Sequence, residues 1–186
     1  IEESQFGPKF ELIVTGGESI TIEDNYFDHV YSVASLEHVA NPLSVVREMA
    51  RVLKPGGVLY CSCGPLWLSA YGYHKKQKYP LLSEPWFHVA YTKEEYLQKH
   101  PEIAEDARYL KRINQIYDHP GYNRLPSQIY YDITAELLRD NLPLDINVQI
   151  LPEIMLNKSA NRGKLLSSYS GRDLLTEGFT FVMKKS

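Results

Sequence analysis

The sequence predicts an α/β fold with a mostly parallel sheet, flanking helices, a helical insertion and a C-terminal antiparallel hairpin. The first observation is that residues 26–63 read as a strand, a loop, a capped helix, a glycine stop and a second strand. That order is one right-handed βαβ crossover, the unit from which parallel sheets are built. The second observation is two apolar stretches, 146–151 and 178–183, which predict the last two strands.

The helix of the βαβ unit has clear start and stop signals. Asn41 is a good N-cap because its side-chain oxygen can accept an unpaired amide of the first turn, and Pro42 suits the first helical position. The pair Gly56 and Gly57 ends the helix and supplies the turn into a strand over 58–63. That strand is almost continuously apolar, which is typical of a strand covered on both faces. An apolar stripe is predicted at Leu43, Val46, Ala50 and Leu53.

Composition limits the classes of function. A chain of 186 residues predicts a single domain, and a net charge of −3 argues against a general nucleic-acid binder. The sequence contains no apolar run close to the ~20 residues that a membrane-spanning helix needs. Cys61 and Cys63 lie two apart on one predicted strand, so we interpret them as core side chains in a reducing, cytoplasmic setting. No metal-ligand spacing is evident, and the expected partner is a small-molecule substrate rather than nucleic acid or membrane.

Three motifs in order resemble one protein family. They are Phe27-Asp28-x-Val30-Tyr31-Ser32, Leu36-Glu37-His38-Val39 and Leu53-Lys54-Pro55-Gly56-Gly57. Together they resemble the second half of class I S-adenosylmethionine-dependent methyltransferases, in the group that includes small-molecule O-methyltransferases. The resemblance implies a Rossmann-like fold, S-adenosylmethionine as cofactor, and methyl transfer to a hydroxyl or amine of a small molecule or saccharide. It covers about residues 10–64, with weaker similarity at the C-terminus.

The chain departs from the family pattern near its start. The family's first strand ends in a glycine-rich loop, and no such loop is found among the nine residues before Phe10. We therefore expect a domain truncated at the N-terminus, either because the other half exists in a parent protein or because the protein is a shortened relative. The sheet edge left without its neighbour would have to be covered, for example in a homodimer.

The resemblance also implies where the cofactor binds. A predicted strand over 10–14 leads into Gly16, Gly17 and Glu18, which correspond to the loop that holds the adenine in the family. Gly16 stands where the family normally has an aspartate, so adenine recognition is expected to be weaker, backbone-only or absent. Ser32 and Ala34, after the next strand, are expected beside the methionine portion of the cofactor.

Three histidines are candidate catalytic residues. His38 follows the strand in the second motif, and an imidazole can take a proton from a substrate hydroxyl near neutral pH. His74 and His88 lie in two aromatic loops that we interpret as a substrate cover. The alternatives are that His38 caps its loop and that the aromatic loops only plug the top of the sheet. Glu37 is expected to anchor the loop or to bind a substrate hydroxyl or amine.

The remaining chain predicts a lid on a single methyltransferase-like domain that spans residues 1–186. Residues 10–64 and 145–186 form its core, and about 65–144 form a helical lid or insertion. Helices are predicted at 93–99, at 101–117 and from Ser127 onward, and 157–173 is expected to be a mobile polar loop. A rival to the enzyme is a non-catalytic methyltransferase-like module for binding or dimerisation that has lost its cofactor site.

Overall fold

The computed structural model describes residues 11–74 and 78–186. Its strands are β1 (Phe27–Val33), β2 (Leu53–Cys63), β3 (Asn141–Ile150) and β4 (Thr176–Lys185). Its α-helices are α1 (Pro42–Val52), α2 (Phe87–Ala90), α3 (Lys93–Lys99), α4 (Pro101–Glu105), α5 (Ala107–Asp118), α6 (Gln128–Asp140), α7 (Glu153–Asn157), α8 (Arg162–Ser168) and α9 (Gly171–Leu175). Short 3₁₀ turns occur at Leu36–His38 and Pro80–Leu82. A search of the described residues for a helix with the length and apolarity of a membrane span found none.

The four strands form one sheet in the order β1-β2-β4-β3. β1 and β2 are parallel, with Val30 opposite Leu59, whereas β4 is antiparallel to both β2 and β3. The α/β fold class, the parallel crossover and the C-terminal antiparallel hairpin are therefore confirmed. The described sheet is mixed rather than mostly parallel, because β4 pairs antiparallel with both β2 and β3 and only β1 and β2 are parallel.

The strand predicted over 10–14 is wrong for its described residues. Residues 11–15 have no strand conformation, and Phe10 lies outside the described part of the chain. Leu12 is 65% exposed and Val14 is 93% exposed, so no strand or helix within residues 11–74 and 78–186 covers them. Apolar alternation alone does not make a strand when no ladder partner is present.

The crossover helix α1 forms as predicted at its start. The Asn41 side chain accepts a hydrogen bond from the Ser44 amide at 3.1 Å, which confirms the N-cap. Val46 of the predicted stripe is fully buried. The helix ends at Val52 because Leu53 already pairs with Phe27 in the sheet.

One face of the sheet is packed, and α1 and α6 cover it. Cys61 and Cys63 point to this face as free, buried thiols, and burial raises the pKa of Cys61 to about 12. The other members of this core are Leu36, Val45, Val46, Met49, Leu53, Leu59, Leu66, Tyr130, Ile133, Leu137, Phe179, Phe181 and Met183. On the opposite face Tyr31 is 71% exposed and Val33 62% exposed. Those two residues belong to β1; on β2, for which cover on both faces was predicted, Val58, Tyr60 and Ser62 are half-buried on this side, so the second face of β2 is only partly covered.

The region between β2 and β3 is helical, as predicted, with different boundaries. The capping box of α3 is present, since the Thr92 side chain accepts from the Glu95 amide and the Glu95 carboxylate accepts from the Thr92 amide. The single helix expected over 101–117 is instead α4 followed by α5. Asp106 separates the two helices because its backbone is extended. Its side-chain carboxylate accepts a hydrogen bond from the Arg108 amide at 2.8 Å and so caps the start of α5.

The mobile loop predicted over 157–173 is wrong. This segment contains α8 and the start of α9, which are held by the buried side chains of Leu165 and Leu174. Asp173 also accepts hydrogen bonds from both the amide and the hydroxyl of Ser127. The polar composition of this segment gave no indication that Leu165 and Leu174 would be buried.

Candidate functional site

The turn after β1 places Glu37 and His38 beyond the carboxyl end of the strand, where ligands bind in open α/β sheets. The side-chain amide of Asn123 donates to the backbone oxygens of Leu36 at 2.8 Å and Val39 at 3.1 Å. These two oxygens lie on either side of the turn. The segment before α6 therefore fixes the conformation in which Glu37 and His38 are presented.

The backbone sets the tautomer of His38. Its Nδ1 lies 2.6 Å from the carbonyl oxygen of Gly121. Because a carbonyl oxygen can only accept a hydrogen bond, Nδ1 of the neutral ring carries the proton. Nε2 then keeps its lone pair and can accept a proton or bind a metal ion. The side chain is exposed, so the ring is open to solvent.

His74 lies beside His38 although 35 residues separate them in the chain; the two ring centroids are 5.1 Å apart. The backbone of His74 has a φ of 59°, a left-handed conformation that is uncommon for a residue with a side chain. Arg112 of α5, only 5% exposed, donates to the backbone oxygens of Tyr73 and His74 and to the Tyr122 hydroxyl. This buried guanidinium holds the unusual backbone in place.

Glu37 completes a cluster of three potential ligands. It is 3% exposed, and neither carboxylate oxygen has a hydrogen-bond partner among the described residues. Burial, the largest effect, raises the pKa of Glu37, while nearby backbone amides and His38 act in the opposite direction. One atom each of Glu37, His38 and His74 lie within 4.8 Å of one another.

An open cavity of about 260 Å³ adjoins this cluster. Its lining residues are His38, His74, Gln115, His119, Gly121 and Tyr122. It therefore combines imidazoles that can accept a proton with the buried Glu37 carboxylate behind them. That arrangement suits the binding and deprotonation of a hydroxyl or amine.

His88 is placed differently from the other two predicted histidines. It is 4% exposed and packs edge-on against the Trp67 ring, with its Nε2 2.7 Å from the Trp67 carbonyl oxygen. Burial lowers the pKa of His88 to about 4, so the ring is neutral near pH 7. This position is typical of a packed core histidine, and a catalytic role for His88 stays a prediction.

The predicted cofactor residues occupy two places. The loop carrying Gly16, Gly17 and Glu18 turns through a bridge between Gly16 and Ser19, and the Glu18 carboxylate accepts from the Asn41 amide at 3.0 Å. This contact attaches the loop to the start of α1. It also occupies the carboxylate of Glu18, the acidic group that the resemblance places near the adenine.

The other two lie on and after β1. Ser32 lies opposite Cys61 on the packed face of the sheet. Ala34 has a φ of 49° and donates to the Ser62 carbonyl oxygen at 2.9 Å. Ala34 also lines a cavity of about 320 Å³ with Val33, Ser62, Cys63, Gly64, Pro65, Gln149 and Glu177.

Three supporting residues were not identified from the sequence: Arg112, Tyr122 and Asn123. A signal for Arg112 was present, because it lies four residues before the buried Ile116 and so falls on the inner face of α5. Tyr122 and Asn123 lie in the irregular segment between α5 and α6, where the sequence has no helical or strand periodicity that would predict which side chains are buried. Only the folded chain shows that they contact the loops that carry the candidate histidines.

One family model matches the N-terminal part of the chain. Residues 2–61 match the family model described as a methyltransferase domain. The resemblance to class I methyltransferases is confirmed. The matched segment contains all three motifs, so Glu37 and His38 lie within it.

The curated relatives have a more specific name than the family model does. The chain is 27% identical over 128 residues to a demethylmenaquinone methyltransferase of Lysinibacillus sphaericus, an alignment that covers 66% of this chain and 53% of that protein. It is 29% identical over 131 residues to the enzyme of that name from Staphylococcus haemolyticus, covering 67% and 52%. The chain spans about half the length of the curated relatives it matches.

Solved structures give more distant matches. An S-adenosylmethionine-dependent methyltransferase from Methanosarcina mazei aligns with a TM-score of 0.45 and 18% identity, covering 96% of this chain and 68% of that one. A protein from Galdieria sulphuraria, described as a proposed sarcosine dimethylglycine methyltransferase, aligns with a TM-score of 0.43 and 16% identity, covering 92% of this chain and 58% of that one.

Proposed function

We propose that this chain acts in methyl transfer from S-adenosylmethionine to a hydroxyl or amine of a small molecule or saccharide. The observation that carries the proposal is the convergence of Glu37, His38 and His74 at an open cavity directly after β1. Two of the three lie in the segment that matches the methyltransferase domain model. The relatives named for methylation of demethylmenaquinone support the reaction class, and this chain's acceptor is left at the level of a hydroxyl or amine.

In this proposal His38 is the proton acceptor. Its Nε2 takes the proton of the acceptor group, and the Glu37 carboxylate stabilises the imidazolium that results. His74 and Tyr122 also line the cavity and orient the acceptor. Orienting the reactants can lower a barrier by ~7–11 kcal/mol, whereas a well-placed base adds ~10²–10⁴-fold. Positioning is therefore expected to be the larger contribution.

The cofactor would supply an activated methyl group on a positively charged sulfur. The cavity beside Ala34 lies at the carboxyl ends of the parallel strands, and its lining includes the polar groups of Ser62 and Gly64. These groups fit the methionine end of the cofactor. The adenine end would contact the backbone of Gly16 and Gly17, because the Glu18 carboxylate is held by the Asn41 amide.

The proposal is tested by calorimetric titration of the full chain with S-adenosylhomocysteine and by a radiolabelled methyl-transfer assay. We expect His38→Ala to lower turnover by roughly 10²–10⁴-fold while the fold and the affinity for S-adenosylhomocysteine are retained. His29→Ala is the matched control, because His29 is exposed on β1 outside the cavity. Unchanged turnover in His38→Ala would refute the base assignment.

A second candidate function is a non-catalytic methyltransferase-like module for binding or homodimerisation. The observation that favours it is the uncovered sheet face, on which Tyr31 is 71% exposed. A chain that binds no S-adenosylhomocysteine and sediments as a dimer would support the module, whereas binding by a monomer would support the enzyme.

A further inference from the structure

We infer that Glu37, His38 and His74 form a binding site for a divalent transition-metal ion. Two imidazoles and one carboxylate are a donor set typical of zinc and of other first-row metals. Their ligand atoms lie within 4.8 Å of one another. Donors bound to one zinc ion lie ~3.5 Å apart, so the side chains would close by roughly 1 Å on binding.

The buried Glu37 carboxylate is the strongest independent sign of a missing cation. It is 3% exposed, and neither oxygen has a hydrogen-bond partner among the described residues, so the nearby backbone amides of Glu37 and Gly64 compensate only part of the cost of burying it. Such a group costs free energy unless it is neutral, hydrogen-bonded or bound to a cation. Both histidines present a ligand atom to it, and a bound ion would satisfy its oxygens.

His38 has the outer contact that metal-binding histidines usually have. A ligating imidazole generally donates its second ring N–H to a carbonyl or carboxylate, which fixes the ring and directs the other nitrogen to the metal. The bond from Nδ1 to the Gly121 oxygen at 2.6 Å provides this contact. Arg112 fixes the backbone of His74 by donating to its carbonyl oxygen at 3.2 Å.

The site would be open rather than closed. Three protein ligands leave at least one coordination position, which is typical of catalytic rather than structural zinc. The cavity beside His38 and His74 gives that position access to solvent and to an oxygen or nitrogen ligand. A bound ion takes the same Nε2 that would accept a proton, so the metal-bound and proton-accepting states of His38 exclude each other.

The test is titration of the untagged, EDTA-treated full chain with Zn²⁺ by calorimetry and with Co²⁺ by visible absorption. We expect one equivalent to bind and d–d bands to appear with Co²⁺. His38→Ala and Glu37→Gln should each weaken Zn²⁺ binding at least ~10-fold. His38→Ala changes an exposed side chain, and circular dichroism of both variants establishes that they are folded.

His29→Ala is the control for adventitious histidine binding and should bind Zn²⁺ as the unmodified chain does. The inference is overturned by the absence of a bound equivalent, by unchanged affinity in folded His38→Ala, or by an equal loss in His29→Ala. No methyl donor is present in these titrations. Their failure would therefore leave the methyl-transfer proposal standing, and failure of that proposal would leave the metal site standing.

Discussion

Arg51 shows how a single side chain can fasten an irregular segment to a helix. Its guanidinium donates to Glu48, to Asp24 and to the backbone oxygens of Ile20 and Ile22. Glu48 in turn accepts from the Ile20 amide at 2.8 Å. The segment before β1 has no strand of its own, so these contacts hold it against α1.

The Glu48 contact makes stability depend on pH. The hydrogen bonds from Arg51, the largest effect, lower the pKa of Glu48 from 4.5 to about 2 in the folded chain. Ionised Glu48 therefore stabilises the fold above pH 4.5, and this contribution is lost as the pH falls from 4.5 to about 2. We expect Glu48→Gln to be less stable than the unmodified chain at neutral pH, with the difference shrinking across that window.

The measurement is urea unfolding at a series of pH values. Glu23→Gln is the control, because Glu23 is an exposed carboxylate of the same segment. A difference between Glu48→Gln and the unmodified chain that stays constant from neutral pH to the lowest pH would contradict the assignment.

Two members of the candidate site, His38 and His74, were predicted from the sequence as catalytic residues, whereas Glu37 was not. His38 and His74 were predicted because imidazoles near the ends of strands are candidate bases. Glu37 was expected mainly to anchor its loop, because nothing local shows that its carboxylate is buried without a partner. The proximity of His38 to His74 depends on contacts made by Arg112 and Asn123, which are distant in the chain.

At the scale of elements, α5 positions the site. Its buried residues are Arg112, Ile113 and Ile116. The guanidinium connects this helix to the loop after β2 by binding the Tyr73 and His74 oxygens. The helix therefore acts as a rigid support for one side of the cavity.

We expect Arg112→Ala to lower the free energy of unfolding by roughly 1.5–3 kcal/mol, because it removes charged hydrogen bonds and leaves buried carbonyl oxygens unpaired. It should also weaken Zn²⁺ binding through loss of the His74 placement. Arg108→Ala on the same helix is the control, since the Arg108 side chain is 81% exposed and pairs with Asp106. Urea unfolding of both variants is the measurement, and equal losses would contradict a specific role for Arg112.

Elements with their own local signals were predicted well. The start of α1 follows from Asn41 and Pro42, and that of α3 from the Thr92 capping box, since each signal lies within one helical turn. The strand expected over 10–14 was wrong because a strand needs a partner, and a pattern along one chain segment does not show whether one is present. Helix α8 was missed because a single buried Leu165 holds it.

For the whole molecule, the main feature is that the two faces of the sheet are covered to different extents. Helices α1 and α6 cover one face, while Tyr31 and Val33 of the edge strand β1 are largely exposed on the other. An uncovered edge strand with apolar side chains is a template for association. The α/β class was predictable from the order of elements, whereas the bare face depends on which strands the chain contains.

We expect the chain to self-associate as its concentration rises and Tyr31→Lys to weaken this association, because a charge on the edge strand opposes pairing. Sedimentation velocity is the measurement. Leu142→Lys is the control, because Leu142 is 59% exposed on β3 at the opposite edge of the sheet. Association that survives Tyr31→Lys but is lost in Leu142→Lys would assign it to the other edge.

The buried pair Cys61 and Cys63 has a practical consequence. These are the chain's two sulfhydryl groups, and both are buried. Their raised pKa values keep them as thiols, which alkylating reagents attack far more slowly than thiolates. The rate of iodoacetamide labelling therefore reports how often the core opens, without any engineered probe.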